Sequence, residues 1–82
     1  MMEAVRVPPF ERFYEEQRGP VLAQLRGMLG RDAAEDAFQE TFLRALRAYP
    51  TLSHGRYLRA WALAIARNVA VDLLRRRRVT SA

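Results

Sequence analysis

At 82 residues, half of them hydrophobic, the chain has room for one small core and lies outside the low-hydrophobicity compositions that stay disordered. It carries no cysteine and a single histidine, His54, which excludes a disulfide framework or cysteine metal site and makes a reducing, cytoplasmic setting the natural expectation. The net charge of +5 is unevenly spread: residues 1–41 hold five arginines against eight acids, residues 42–82 nine arginines against one. Every basic residue is arginine, a choice that suits phosphate and base contacts and equally fits a GC-rich genome. No apolar run approaches the ~18–20 residues that span a bilayer, and the first residues lack the basic-then-apolar pattern of a signal peptide, so a soluble chain is expected.

Met1 to Pro9 has no apolar period and ends in a proline pair, which reads as a disordered or extended lead-in, residues 1–9. From Phe10, the residues Phe10, Phe13, Tyr14, Val21, Leu22, Leu25, Met28 and Leu29 recur at helical spacing. Gly19-Pro20 interrupts that run and predicts a kink, or two short helices with Pro20 in the first turn of the second. Gly30 then serves as a C-cap, and the turn after it is short enough to make the next helix an antiparallel neighbour.

That helix spans Asp32 to Pro50. Asp32 followed by Glu35 has the spacing of a capping box, with acids in the first turn favoured by the helix dipole. Ala34, Phe38, Thr41, Phe42, Ala45 and Tyr49 form the stripe that faces a core, and Asp36, Gln39, Glu40, Leu43 and Arg47 form the opposite one. Thr51 to Arg56 is a loop by composition, with His54 exposed in it. The last helix runs from about Tyr57 to Arg77. Its buried stripe is Leu58, Trp61, Ala62, Ile65, Ala66, Val69 and Leu73, and its other side presents Tyr57, Ala60, Ala64, Arg67, Asn68, Val71, Arg75 and Arg78. Phe38, Phe42, Trp61 and Ile65 are expected to pack together between the central and last helices. Val79 to Ala82 is expected to fray. With no strand pattern and no repeat, the fold class is all-α, a compact bundle of three main helices.

The residues offer little for catalysis. There is no nucleophile paired with a base, no phosphate-cradling glycine loop, and no second ligand for His54, so neither an enzyme nor a metal or cofactor site is expected. The run Arg75–Arg78 is attractive to phosphates and favourable at a helix C-terminus. Leu43, ringed by Asp36, Gln39, Glu40 and Arg47, is compatible with a protein-binding face, but spacing alone favours a solvated face with a Glu40–Arg44 pair.

Taken together, AEDAFQETFLRALRAYP, a short loop, and LRAWALAIARNVAVDLLRRRR resemble region 2 of bacterial sigma factors of the sigma-70 family, specifically the extracytoplasmic-function (ECF) group. The resemblance covers roughly Phe10 to Arg78, taken as a region 2 domain, with residues 79–82 as the start of a linker toward a second, minus-thirty-five-binding domain. It implies a helical domain that binds the clamp helices of the RNA polymerase β′ subunit and recognises and helps melt the promoter minus-ten element. Its partners would be RNA polymerase core, the non-template strand of promoter DNA, and an anti-sigma factor. Position by position, Asp36, Gln39, Glu40, Leu43 and Arg47 fall at the polymerase contact. The loop from Thr51 to Tyr57, with Ser53, His54, Arg56 and Tyr57, falls where the family holds a flipped-out base, and Arg67, Asn68, Val71, Asp72, Arg75, Arg76 and Arg78 fall on the helix that meets the minus-ten DNA. Trp61 matches the family tryptophan at a position suited to core packing. Two departures stand out: Tyr57 replaces a small polar capping residue, and Ala62 a larger apolar one, which predicts thinner packing there. The competing reading is a stand-alone helical regulator that binds duplex DNA. A membrane-surface helix is disfavoured by the core stripe of the last helix.

Overall fold

A computed structural model describes residues 5–80 as three helices: α1 (Phe10–Leu29), α2 (Arg31–Ala48) and α3 (Leu58–Thr80), with a 3₁₀ turn at Tyr49–Thr51. The all-α three-helix expectation holds. Met1–Ala4 of the lead-in, and Ser81 and Ala82 of the expected frayed end, lie outside the described residues. Helical backbone continues through Val79 and Thr80, three residues beyond the Arg77 expected from spacing.

Of the two alternatives at Gly19-Pro20, the division into two short helices does not occur. α1 is one continuous helix with Pro20 inside it, lacking only the backbone bond that a proline nitrogen cannot give. Gln17, Val21 and Leu25 are buried on either side of the proline, and that tertiary burial holds the helix through the local defect. Gly30 is the entire connection to α2. Its φ of 81° lies in the left-handed region, its N–H donates to the Arg26 carbonyl at 3.0 Å, and its own carbonyl accepts from Ala34 N at 3.2 Å. One residue thus ends α1 and begins α2. The expected capping box is not formed, because Gly30 occupies the cap position and no side chain bonds there; Asp32 instead sits inside the first turn, where the helix dipole favours a negative charge.

The core is built of large side chains from α1 against small ones from α2 and α3. Phe13, Val21 and Leu25 are fully enclosed by Ala34, Ala37, Phe42 and Ala45 of α2 and Ala62, Ala66, Val69 and Ala70 of α3. Ala62, Ala66 and Ala70 form one row at i, i+4, i+8 that lets the helices close, so Ala62 is fully buried and the departure there is absorbed by close approach. Ala37 and Ala70, absent from the expected stripes, belong to this small-residue contact.

The aromatic residues divide differently from expectation. Phe38 and Phe42 do touch (centroids 4.9 Å apart), but Trp61 packs on Phe13 of α1 (5.5 Å) and Tyr49 (6.2 Å). Phe13, at 6.0 Å from Phe42, stands between the two groups. Polar groups at the core are satisfied: buried Gln17 accepts a hydrogen bond from Arg59 Nε at 3.2 Å, and half-buried Gln24 Nε2 donates to the Leu63 carbonyl at 2.9 Å. Thr41 Oγ1 donates to the Ala37 carbonyl at 2.7 Å, and no buried side-chain polar atom among the described residues lacks a partner.

Residues 5–9 belong to neither helix nor strand and lie against the segment after α2. The Tyr49 hydroxyl donates to the Pro8 carbonyl, and Gly55 N–H donates to the Val5 carbonyl at 2.7 Å. Among the described residues no helix is long and apolar enough to cross a membrane.

Candidate functional site: two helix faces and a loop

The outer face of α2 is polar around an apolar centre. Asp36, Gln39 and Arg47 are exposed, Glu40 is half-buried, and Leu43 is 48% exposed. Leu46, one turn further on at 50% exposure, extends the apolar centre into a shallow groove floored by Phe10, Tyr14, Phe38 and Phe42. Leu46 went unnoticed in the sequence, although its place three residues after Leu43 is the spacing that puts two side chains on one helix face. Two adjacent exposed leucines over aromatic rings form a contiguous apolar patch, which a solvated helix face does not need.

Glu40 reaches Arg44 at 3.7 Å, and Arg44 Nη2 lies 3.4 Å from Asp72 Oδ2 across the α2–α3 groove. Asp72, expected on the DNA-facing helix, is half-exposed and pairs with this arginine of α2, which offsets its repulsion of phosphate and ties the two helices together. Such half-exposed pairs contribute about 0–1 kcal/mol each, so their main effect is on orientation.

The loop between the faces is held by short-range bonds. Thr51 Oγ1 donates to the Ala48 carbonyl at 2.6 Å, Leu52 N–H to the Tyr49 carbonyl at 3.1 Å, and Arg56 N–H to His54 Nδ1 at 3.3 Å. Tyr57 belongs to the turn ahead of α3, which begins one residue later than expected, and its carbonyl accepts from Trp61 N at 2.9 Å. A backbone carbonyl thus opens the helix without the small polar cap. Tyr57 is 75% exposed and stands edge-on to His54, ring centroids 6.4 Å apart at 84°. Ser53, His54 and Arg56 are exposed beside it.

Along α3, Arg67, Asn68, Arg75, Arg76 and Arg78 are exposed and Val71 is half-buried. Arg67, Val71, Arg75 and Arg78 follow at i, i+4, i+8 and i+11, one helical stripe with Asn68 beside it. From Leu74 to Arg78 every side chain is exposed, and Arg76 lines the α2–α3 groove beside Asp36 and Glu40. No group of acids and histidine that could hold a metal ion occurs among the described residues.

Fold and surface together define a three-helix domain with an acid-rimmed apolar face on one helix, an arginine-lined face on another, and an aromatic loop between them. Residues 13–80 match the family model for sigma-70 region 2, and the chain belongs to that family. It is 51% identical over 43 residues to the ECF RNA polymerase sigma factor SigC of Mycobacterium tuberculosis, an alignment covering 52% of this chain and 23% of that protein. It is 39% identical over 72 residues to the ECF RNA polymerase sigma factor BldN of Streptomyces coelicolor, covering 85% of this chain and 27% of the relative. The chain therefore spans about a quarter of the length of these curated relatives. No solved structure matches it.

Proposed function

We propose that this chain is the part of an ECF sigma factor that docks on the β′ clamp helices of RNA polymerase and reads and helps melt the promoter minus-ten element in the cytoplasm. In this reading Asp36, Gln39, Glu40, Leu43 and Arg47 make the polymerase contact. The loop Ser53–Tyr57 takes an extruded base of the non-template strand, and Arg67, Asn68, Val71, Arg75, Arg76 and Arg78 line the DNA, with Asp72 orienting α3 through Arg44. The observation that carries the reading is family membership over residues 13–80 combined with exposure of the two residue sets on different helices. Polymerase and DNA can then be held at once. Arginine contacts to phosphates position the domain, while Asn68 and the loop supply base choice. Melting needs no covalent step: capture of an unstacked base offsets the few kcal/mol of unstacking and selects the open state.

The test is a pull-down of the 82-residue chain with the isolated β′ clamp helices. Replacing both Gln39 and Leu43 by alanine is expected to weaken binding at least tenfold, the weight of about 1.4 kcal/mol, with little change in melting temperature because both side chains are exposed. Undiminished binding by the double variant would remove this face from the polymerase contact.

A further inference from the structure

Residues 5–9 enter neither proposed contact, yet they lie against the loop that has the most specific task. We propose that Val5–Val7 act as a strap that fixes the shape of the base-holding loop, with Gly55 as its seat, so that the segment ahead of α1 takes part in setting base selectivity. The proposal deepens the reading of the loop given above and rests on it.

Two observations meet at Gly55. Its N–H donates to the Val5 carbonyl at 2.7 Å, the one hydrogen bond among the described residues that ties 51–56 to a segment other than the adjoining end of α2 or the loop itself. A Cβ placed on Gly55 would stand 2.3 Å from the Arg6 carbonyl oxygen, 3.0 Å from its carbon and 3.3 Å from Val7 Cα. These are backbone atoms, which cannot rotate aside as a side chain could. The backbone of Gly55 is not itself unusual, since Gly30 is the only described residue with positive φ. Glycine is required at 55 by the space the strap occupies, not by the turn.

The strap is anchored at its other end as well. Pro8 and Pro9 restrict φ, the Pro8 carbonyl accepts the Tyr49 hydroxyl, and the Pro9 carbonyl accepts Arg12 and Phe13 N–H at 3.1 and 3.2 Å. The chain therefore runs back from α1 in a set direction, fixed at Pro8 and Pro9 before it reaches Gly55. Gly55 adjoins His54 and lies two residues before Tyr57, whose rings are the loop's exposed stacking surfaces. Displacing the strap changes where those rings stand without touching the helical core. Gly55 is thus a positioning residue that acts through His54 and Tyr57.

A double-mutant cycle tests this with four proteins: the full chain, Gly55→Ala, the chain lacking residues 1–6, and the truncated chain carrying Gly55→Ala. The readouts are amide hydrogen exchange across residues 53–57 and the ratio of affinities for a single-stranded minus-ten oligonucleotide and one with a substituted base. Gly55→Ala and the truncation are each expected to speed loop exchange about tenfold, the weight of one hydrogen bond, and to lower the affinity ratio several-fold, while exchange in α1–α3 stays as it was. In the truncated chain Gly55→Ala is expected to add nothing, because the carbonyl it collides with is gone. Equal effects of Gly55→Ala with and without residues 1–6, or loop exchange and affinity ratio unaltered by the truncation, overturn the strap. If exchange couples as expected but even the full chain fails to discriminate the oligonucleotides, the strap stands as a loop anchor and the base-reading role of the loop falls.

Discussion

Tyr49 joins three parts of the molecule through one side chain. Its ring packs edge-on against Phe10 (5.1 Å) and at a tilt of 47° against Phe13 (5.2 Å), and its hydroxyl donates to the Pro8 carbonyl. Burial raises its pKa above the usual 10.0, and the charge of Glu16 adds in the same direction. The folded state therefore holds the phenolic proton more tightly than the unfolded chain. The associated stability is complete below about pH 10 and is lost as pH climbs from there through the folded-state pKa. Tyr49→Phe is expected to lose about 0.5–1.5 kcal/mol at neutral pH and to flatten part of the alkaline decline. Thermal melts between about pH 8 and 11 check this, and a decline of equal steepness in both proteins contradicts it.

At the scale of the helix, periodicity reported faces well and boundaries poorly. The buried faces of all three helices were legible because apolar spacing is a direct record of which side meets the core. The start of α2 was not: an Asp-x-x-Glu pattern is a real capping signal, but a one-residue connection through a left-handed glycine takes the cap position first. Pro20 did not divide α1 for a related reason, since helix propensity is local whereas the burial of Gln17, Val21 and Leu25 is tertiary. The partner of Trp61 was also beyond reach, because spacing says that a ring points inward without saying which helix it meets. Trp61 lies on Phe13 and Tyr49 and is half-buried, so Trp61→Ala is expected to cost about 3 kcal/mol, a large share of the stability of so small a domain. An unchanged midpoint in chemical denaturation would show that the indole carries no packing load.

On the scale of the whole molecule, the acidic first half and basic second half become an elongated body of 56 × 20 × 18 Å whose arginine run extends beyond the core. That run attracts any nucleic acid, so binding alone does not distinguish a promoter reader from a duplex-binding regulator. Selectivity does. The chain is expected to prefer a single-stranded non-template minus-ten oligonucleotide over its duplex, weakly and with steep salt dependence. Asn68→Ala is expected to flatten the sequence preference, whereas removing two of the terminal arginines weakens all sequences alike and lowers the salt slope by roughly 1 to 2. Anisotropy at several salt concentrations with matched probes measures both, and a preference for duplex decides for the regulator. The roles proposed for the two faces come from family resemblance, because spacing by itself favoured a solvated α2. The docking of residues 5–9 left no trace in periodicity, since its contacts are made by backbone carbonyls that any sequence possesses.

The one-residue link at Gly30 leaves no slack between α1 and α2, and a longer insertion there would shift the facing rows of side chains out of register. The segment 52–57, in contrast, contributes no side chain to the buried core. Variation is thereby channelled: residues 52–57 can be rewritten at small cost in stability, provided that a residue without a side chain remains opposite Arg6, whereas Tyr49 at the head of the same connection is tied into the core. If the loop reads a base as proposed, a lineage can diversify that preference while inheriting the scaffold unchanged, and the same partition marks 52–57 as the stretch to randomise in a selection that tests it.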